Sequence, residues 1–432
     1  MKISNGQTRP PVVGDVTTIV IGAGQAGLAA SRCLDERGID HLILERGEIA
    51  NSWRKERWQS LKLLTPNWQT VLPGHGYQGD NPDGFMGITE LVSFLDDYAR
   101  RISAPIVTGT TVESVSPMDD GYRVNTNRGV WHCRTVVMAS GAFNIPVLPR
   151  FASALPTGIE SLTPHDYRSP DEMAEGGVLV VGASATGLQL AREIQQSGRP
   201  VTLCVGEHVR LPRRYRGRDI LHWMHCLGLL DESYREVDDI SRARRVPSAQ
   251  LVGSASHGDL DLNSLTRAGV NLVGRMAGLH NNKVQFSGAL SNVCKMGDLK
   301  MNRLLRSIDD WIAEKGEDQL SMPAEEFSAT NSGSKQALSM SLASGEIKSV
   351  VWACGFRPDY SWLKVPVLNR KNQLVHDGGV TASPGLYAMG LPFMRRRKSS
   401  FIFGAGDDAR DISDHLAAYV ANSVAARSIA VA

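Results

Sequence analysis

The residues whose spacing could do chemistry come early in the chain. Three glycines and one acid, Gly22, Gly24, Gly27 and Glu45, stand in a spacing that suits phosphate and ribose. Gly22 permits a tight turn. Gly24 has no side chain to keep a pyrophosphate from the backbone, and Gly27 lets a helix pack closely on a strand. Gln25 and Ala26 would open that helix, whose N-terminus offers free N–H groups and a partial positive charge. Glu45 falls 18 residues after Gly27, where a carboxylate accepts hydrogen bonds from both ribose hydroxyls of an adenosine, with Arg46 beside it.

A glycine run by itself is a weak signal, so the elements around it decide. The β-branched run Thr17–Ile21 before it suits a buried parallel strand. After it, Ala26, Ala29, Ala30 and Cys33 share one helical face, and Gly38 fits a C-terminal cap. A second strand, His41 to Leu44, then leads to the acid. Strand, glycine turn, helix, strand and acid together read as a dinucleotide-binding unit.

The same arrangement returns later. Gly182, Gly187 and Gly198 each fall 160 positions after Gly22, Gly27 and Gly38, between the apolar runs 177–181 and 201–205. A gap-free internal match of this kind predicts two such units and hence two cofactors. Ser184 replaces the middle glycine, and its hydroxyl can donate to phosphate; Ala185 and Thr186 complete the turn. The position equivalent to Glu45 is Val205, and a basic run containing Arg210 and Arg213 follows. A missing acid with arginines nearby suits a ribose 2′-phosphate, hence NADPH over NADH. A solvated basic face is the plainer alternative, and Glu207 sits within the same stretch. The Gly182-Ala-Ser184 run also resembles a nucleophile elbow, but the second glycine of that motif would fall on Thr186.

Between the units, three tryptophans, Trp53, Trp58 and Trp68, crowd into sixteen residues. They read either as a hydrophobic cluster under a long loop or as a wall for a flat ring, with Arg54 near phosphates or the ring edge. Residues 88–103 show a helical stripe that Thr89 could cap. Residues 106–139 alternate like paired strands and end in Ala139-Ser140-Gly141. Further on, 219–230 and 298–315 read as helices, and 349–352 as a strand ending at Cys354-Gly355. Residues 384–392 read as a buried strand ending at Gly390-Leu391, and 408–426 as a last helix. The run Arg395–Lys398 reads more readily as a solvated loop than as an anion site.

Composition sets outer bounds. The 432 residues carry 47 Lys and Arg against 45 Asp and Glu, a net charge of +2, which argues against a dedicated nucleic-acid binder. Residues 1–14 have no apolar core of signal-peptide length, and no charge-free apolar run is long enough to span a membrane. The six cysteines form no CxxC or CxxxxC pair, so neither a disulfide close in sequence nor a zinc ribbon is expected, and no metal site is. Scattered cysteines in apolar contexts suit reduced, buried thiols in a cytoplasmic protein.

These residues together resemble the flavin-containing monooxygenase family of two-dinucleotide flavoproteins, over nearly the whole chain. Both glycine motifs, Glu45, the Ser-Trp53-Arg54 segment, the Ser140-Gly141 and Cys354-Gly355 turns and the Gly390-Leu391 ending follow the family's order. The stretch Gly158 to Tyr167, with His165, keeps a glycine, a histidine and an aromatic at spacings unlike the family's fingerprint. The resemblance implies FAD in the first unit and NADPH in the second. It implies hydride transfer to the flavin, a C4a-(hydro)peroxyflavin formed with molecular oxygen, and oxygenation of an amine, sulfide or carbonyl compound. Leu64-Thr65-Pro66-Asn67 falls where the family carries an asparagine beside the flavin, which gives Asn67 the catalytic role. The expected fold is α/β, with two Rossmann-like domains. The FAD domain would be discontinuous, 1–165 plus 345–432, with an NADPH domain of 166–344 inserted and a homodimer left open. An NADPH-dependent flavin reductase serving a partner protein, and a non-catalytic NADP(H)-sensing flavoprotein, are the alternatives.

Overall fold

Parallel strands whose carboxyl ends converge on each glycine turn set the architecture. The computed structural model describes residues 12–316 and 321–431; most of the polar start of the chain thus lies outside the described residues. The first strand, Val12–Ile21, lies between two parallel neighbours, His41–Leu44 and Gly129–Met138. Ile106–Val107 extends the sheet on one side and Leu386–Ala388 on the other, both parallel. The helix Gln25–Asp35 covers the sheet and packs on the last helix, Ala405–Val431. Ile19, Leu28, Ile43, Val136, Leu386 and Leu416 are fully buried between these layers.

The second sheet has five parallel strands, in the order Glu160–Leu162, Ile347–Trp352, Gly177–Val181, Val201–Val205, Asn271–Gly274. Its strands alternate between two cores. Val178, Val180 and Leu203 pack with Leu188 and Ile194 of the helix Ala185–Gln196. Leu179, Cys204 and Trp352 face the other way, against Met276, Val284 and Phe286. Both sheets are α/β in character, as expected, with the duplicated strand-turn-helix-strand units at their centres.

Several boundaries differ from the sequence reading, each for a physical reason. Ile347–Trp352 and Glu160–Leu162 lie in stretches expected of the first domain, yet both join the second sheet, Val180 pairing with Val351. Two fully buried neighbours suit the run Ser349-Val-Val-Trp better than a sheet edge. The long helix begins at Leu290 rather than 298, and the last one at Ala405 rather than 408. The helix Ile88–Arg101 is not capped by Thr89. Its N-cap is Gly87, whose N–H donates to the Glu90 carboxylate at 2.8 Å. Among the described residues, no helix is long and apolar enough to cross a membrane.

Candidate functional site

Each glycine turn is held by a backbone that leaves no room for a side chain, except where a ligand would come. Gly22 has φ +106°, and a Cβ there would lie 2.6 Å from the Ala139 carbonyl oxygen. A Cβ on Gly27 would lie 1.9 Å from the Gly22 oxygen, whereas one on Gly24 would meet nothing within 4 Å. The open side of the turn is thus the side a phosphate would approach. The second unit repeats these contacts. A Cβ on Gly182 would lie 2.2 Å from the Ala353 oxygen, and one on Gly187 1.8 Å from the Gly182 oxygen. Gly24 and Ser184 are the N-caps of their helices, and neither helix has a side-chain cap. The Ser184 hydroxyl, though placed to cap, does not, so the first N–H groups of both helices stay free for an anion.

Glu45 is buried at the end of its strand. Its Oε2 accepts from the Ala23 N–H at 2.8 Å and its Oε1 from the Gly47 N–H at 2.9 Å. A carboxylate has about four acceptor positions, so each oxygen keeps one for a ribose hydroxyl. Around this cradle, the Gln25 side chain accepts from the Trp53 indole N–H at 3.2 Å. Gly390, at φ +74°, sits so close that a Cβ there would be 3.1 Å from the Ala26 Cβ. Asn144 holds the Ser140 carbonyl at 2.9 Å, and Gly141 takes φ +86°. At the second cradle the Cys354 thiol donates to the Val181 carbonyl at 3.5 Å, burial pushes its pKa up to about 11, and Gly355 takes φ +94°.

The arginines depart from expectation. Arg210 is buried and forked between Asp261 at 2.8 Å and Asp298 at 2.7 Å. Arg213 is buried, pairs with Asp219 at 2.5 Å, donates to the Leu64 carbonyl at 2.7 Å and stacks on the Phe85 ring. Both guanidiniums are already neutralised by carboxylates, although the buried Arg213 Nε has no partner among the described residues. Arg54 likewise pairs with Asp96 and donates to the Ile49 carbonyl, and Arg46 pairs with Glu56. Trp58 is part of the second core with Ala183 and Leu188, so of the three tryptophans it follows the plain packing reading. The run Arg395–Lys398 is partly exposed but ion-paired throughout: Arg395 pairs with Asp411, Arg396 with Asp408 and Asp411, Arg397 with Glu232, and Lys398 with Asp231 and Asp407.

Asn67 is buried on a short turn. Its Nδ2 donates to the Asn81 carbonyl at 2.9 Å and its Oδ1 has no partner among the described residues. Both ends of the Gln69 amide and the Thr70 hydroxyl, also buried, have no partner among the described residues either; Thr65 is buried just before them. Four unmet polar atoms within four residues are unusual in a folded chain and fit a polar group supplied from outside. Asn67 lines a cavity of about 260 Å³ with Tyr77, Phe85 and His257. That cavity lies between the two sheets' domains, because the loop at Gly253 seats directly on Leu63 and Phe85. Sequence reasoning missed Gln69, Thr70 and also Gln250. Gln250 is buried, donates to the Ala183 carbonyl of the second turn at 2.8 Å, and its Oε1 has no partner among the described residues. No local motif marks any of the three.

The glycine cradles, the spare acceptors of Glu45 and the unmet polar atoms at Asn67 all fit two bound dinucleotides, one at each turn. Among the described residues no group of His, Cys, Asp and Glu could hold a metal ion. Cys33, Cys133, Cys204 and Cys294 are buried, and Cys226 and Cys354 half-buried.

Comparison with known proteins agrees with this geometry. The signature described as "Pyridine nucleotide-disulphide oxidoreductase" matches residues 19–218. A CzcO-like oxidoreductase of Geobacillus kaustophilus is 31% identical over 408 residues, covering 93% of this chain and 99% of the relative. Indole-3-pyruvate monooxygenase YUCCA6 of Arabidopsis thaliana is 32% identical over 231 residues, 49% of this chain and 53% of that protein. Among solved structures, a flavin-containing monooxygenase from Stenotrophomonas maltophilia superposes with a TM-score of 0.65 at 19% identity, covering 94% of this chain and all of that one.

Proposed function

The chain belongs with the CzcO-like oxidoreductases, and we propose that it is an NADPH-dependent FAD monooxygenase acting with molecular oxygen on a small amine, sulfide or carbonyl compound. FAD occupies the first cradle and NADPH the second. FAD reduced by NADPH supplies the oxygen chemistry; the residues of this chain hold, orient and shield. Helix N-termini at Gly24 and Ser184 hold the two pyrophosphates. Glu45 fixes the adenosine ribose of FAD, and the backbone at Ser140-Gly141 and Gly390-Leu391 borders the same cofactor. Asn67 is the catalytic residue. Its Nδ2 is anchored on Asn81, so its Oδ1 is held in one direction and serves as an acceptor at the cofactor edge. The loop around Gly253 closes on Phe85 and keeps water from that edge.

The observation that carries this reading is the paired cradle, with an anchored but unsatisfied Asn67 in the cavity between the two domains. Turnover under ¹⁸O₂ with NADPH and a panel of amines, sulfides and ketones tests it. The label should enter the product. Asn67→Asp should keep FAD yet release most reducing equivalents as hydrogen peroxide. Label-free product, or unchanged product-to-NADPH stoichiometry in the variant, would refute the assignment. Electron delivery to an added acceptor protein without oxygen uptake would favour a reductase.

A further inference from the structure

With Arg210 and Arg213 held by carboxylates, the register of the second sheet shows which cation stands at the second cradle instead. Val181 pairs with Cys204 on one side and with Trp352 on the other, and Cys204 pairs with Val273. Two residues beyond that row stand Ala183, Gly206, Cys354 and Arg275, at the carboxyl edge where a dinucleotide crosses such a sheet. Arg275 is exposed, and its side chain leans over the strand end: a Cβ built on Gly206 would lie 3.8 Å from both its Cγ and its Cδ. Its charge also acts on the Cys354 thiol, whose pKa burial raises and Arg275 lowers. The guanidinium is thus directed back across the edge, towards the glycine turn. Among the described residues no carboxylate pairs with Arg275, whereas Arg210, Arg213 and Lys300 each have one. The partner of Lys300 is Glu207, the acid next to Gly206, at 3.3 Å.

The first cradle supplies the contrast. There Ile21 pairs with Leu44, and Leu44 with Val107, so the residues equivalent to Val205 and Arg275 are Glu45 and Gly109. One cradle has an acid for two ribose hydroxyls and a glycine beside it; the other has no acid and an arginine. A carboxylate at the ribose repels a 2′-phosphate, and a guanidinium donates two parallel N–H bonds to one. The pyrophosphate is already served by the helix N-terminus at Ser184. Strands about 4.8 Å apart put Arg275 two strands, about 10 Å, from the turn. That is the adenosine side of the pyrophosphate, and Gly206 adds no side chain to fill the space between.

We propose that Arg275 binds the 2′-phosphate of NADPH in the second cradle and sets the preference for NADPH over NADH. The reader of that phosphate then comes from the end of the strand Asn271–Gly274, not from the basic run that follows Val201–Val205. This rests on the reading of the second cradle as the NADPH site and names the residue that selects the dinucleotide there.

Calorimetry on the FAD-loaded protein, with 2′,5′-ADP and 5′-ADP as probes, tests the assignment without any turnover. The wild type should bind 2′,5′-ADP at least about tenfold tighter than 5′-ADP. In Arg275→Met that ratio should fall to about one, through weaker 2′,5′-ADP binding alone, with FAD content unchanged. Arg275→Lys should recover part of it, as a point charge without the paired donors. NADP⁺ and NAD⁺ should follow the two probes. Equal binding of both probes by the wild type overturns the proposal, and so does an unaltered ratio in Arg275→Met. Equal weakening of both probes in that variant also overturns it, and would assign Arg275 to the pyrophosphate. A flavin-loaded wild type that binds neither probe would defeat the reading of the second cradle itself, a result distinct from a cradle that binds both without preference.

Discussion

Replacing Glu45 by Gln separates two roles that the carboxylate combines. In the folded chain it accepts from two backbone amides, Ala23 at 2.8 Å and Gly47 at 2.9 Å, from a buried position. Gln offers one oxygen in place of two, so whichever rotamer it takes, its NH₂ faces one of those N–H groups. A hydrogen bond to a charged group is worth about 1.5–3 kcal/mol, and an unmet buried donor costs a further 1–3 or so. Partial relaxation of the Gly47 turn, which is half exposed to solvent, offsets some of this, so a net loss of about 2–4 kcal/mol is expected in the flavin-free protein. The cofactor effect comes on top. A neutral side chain with its oxygen already engaged leaves the ribose hydroxyls without their acceptor, and FAD affinity should fall by at least about tenfold more than the stability change alone would produce. Urea denaturation of the apoprotein reads the first quantity, and flavin fluorescence quenching on titration reads the second. NADP⁺ binding, measured by calorimetry, should hardly change, since the second cradle has Val205 at the equivalent place. The reasoning fails if the apoprotein is as stable as the wild type, or if both nucleotides weaken equally.

Three other perturbations follow from the same geometry. Arg210→Met strands Asp261 and Asp298 in a buried setting and should cost about 3–5 kcal/mol, while the NADPH-to-NADH preference stays put; a lost preference at unchanged stability would restore Arg210 as a phosphate reader. Gly187→Ala drives a methyl to 1.8 Å from the rigid Gly182 carbonyl, so the second helix must lift away. NADP⁺ binding should drop by more than about tenfold with FAD retained, and loss of FAD first would contradict the assignment of the two cradles. Asp408 is buried, and desolvation raises its carboxyl to about 6, against Arg396 and Ser399, which lower it. A raised folded pKa means the native state binds the proton more tightly than the unfolded chain. This contribution to stability is therefore present below about pH 4 and is lost as pH rises through about 6. The stability of Asp408→Asn relative to wild type should rise by about 2 kcal/mol between pH 4 and 6.5 in urea melts, and a flat difference would reject the shift.

Much of this site is legible in the sequence because its determinants are local. The turn Gly22-Ala-Gly24 needs absent side chains at fixed steps, and the clashes at Gly22, Gly27, Gly182 and Gly187 arise within a few residues or from one neighbouring strand. The 160-residue repeat survives because both copies meet the same steric demand. Charges are another matter. Whether Arg210 is free or neutralised depends on Asp261 and Asp298, which lie 51 and 88 residues away, and no periodicity links them. The start of the helix Leu290–Lys315 is hard to see in the sequence because its first buried positions, Leu290, Cys294, Gly297 and Met301, include a glycine and a cysteine and make a faint stripe. The run 349–352 is buried on both faces. Only its register against Gly177–Val181 decides where it belongs.

The way this chain spends its arginines bears on how the two domains act together. Arg213, from the second domain, holds the Leu64 carbonyl and covers Phe85, both in the segment that carries Asn67. Ser60 donates to Glu193 on the second helix at 2.7 Å, and Trp58 is buried in the second core. The residues from 58 to 85 are therefore positioned by the second domain although they follow the first cradle in sequence. A buried ion pair gives little net stability, but losing one partner is costly, so such pairs act chiefly to fix one arrangement. Here that arrangement puts the Asn67 amide, whose Oδ1 has no partner among the described residues, in the cavity it shares with Ser254 and His257 of the second domain. If the segment is a bridge of this kind, filling the second cradle alone should change the environment of Trp58 and Trp68. NADP⁺ added to flavin-free protein should then shift tryptophan emission, and Arg213→Met should abolish that shift while NADP⁺ still binds. A wild-type emission that is indifferent to NADP⁺ would mean that the two domains bind their nucleotides independently.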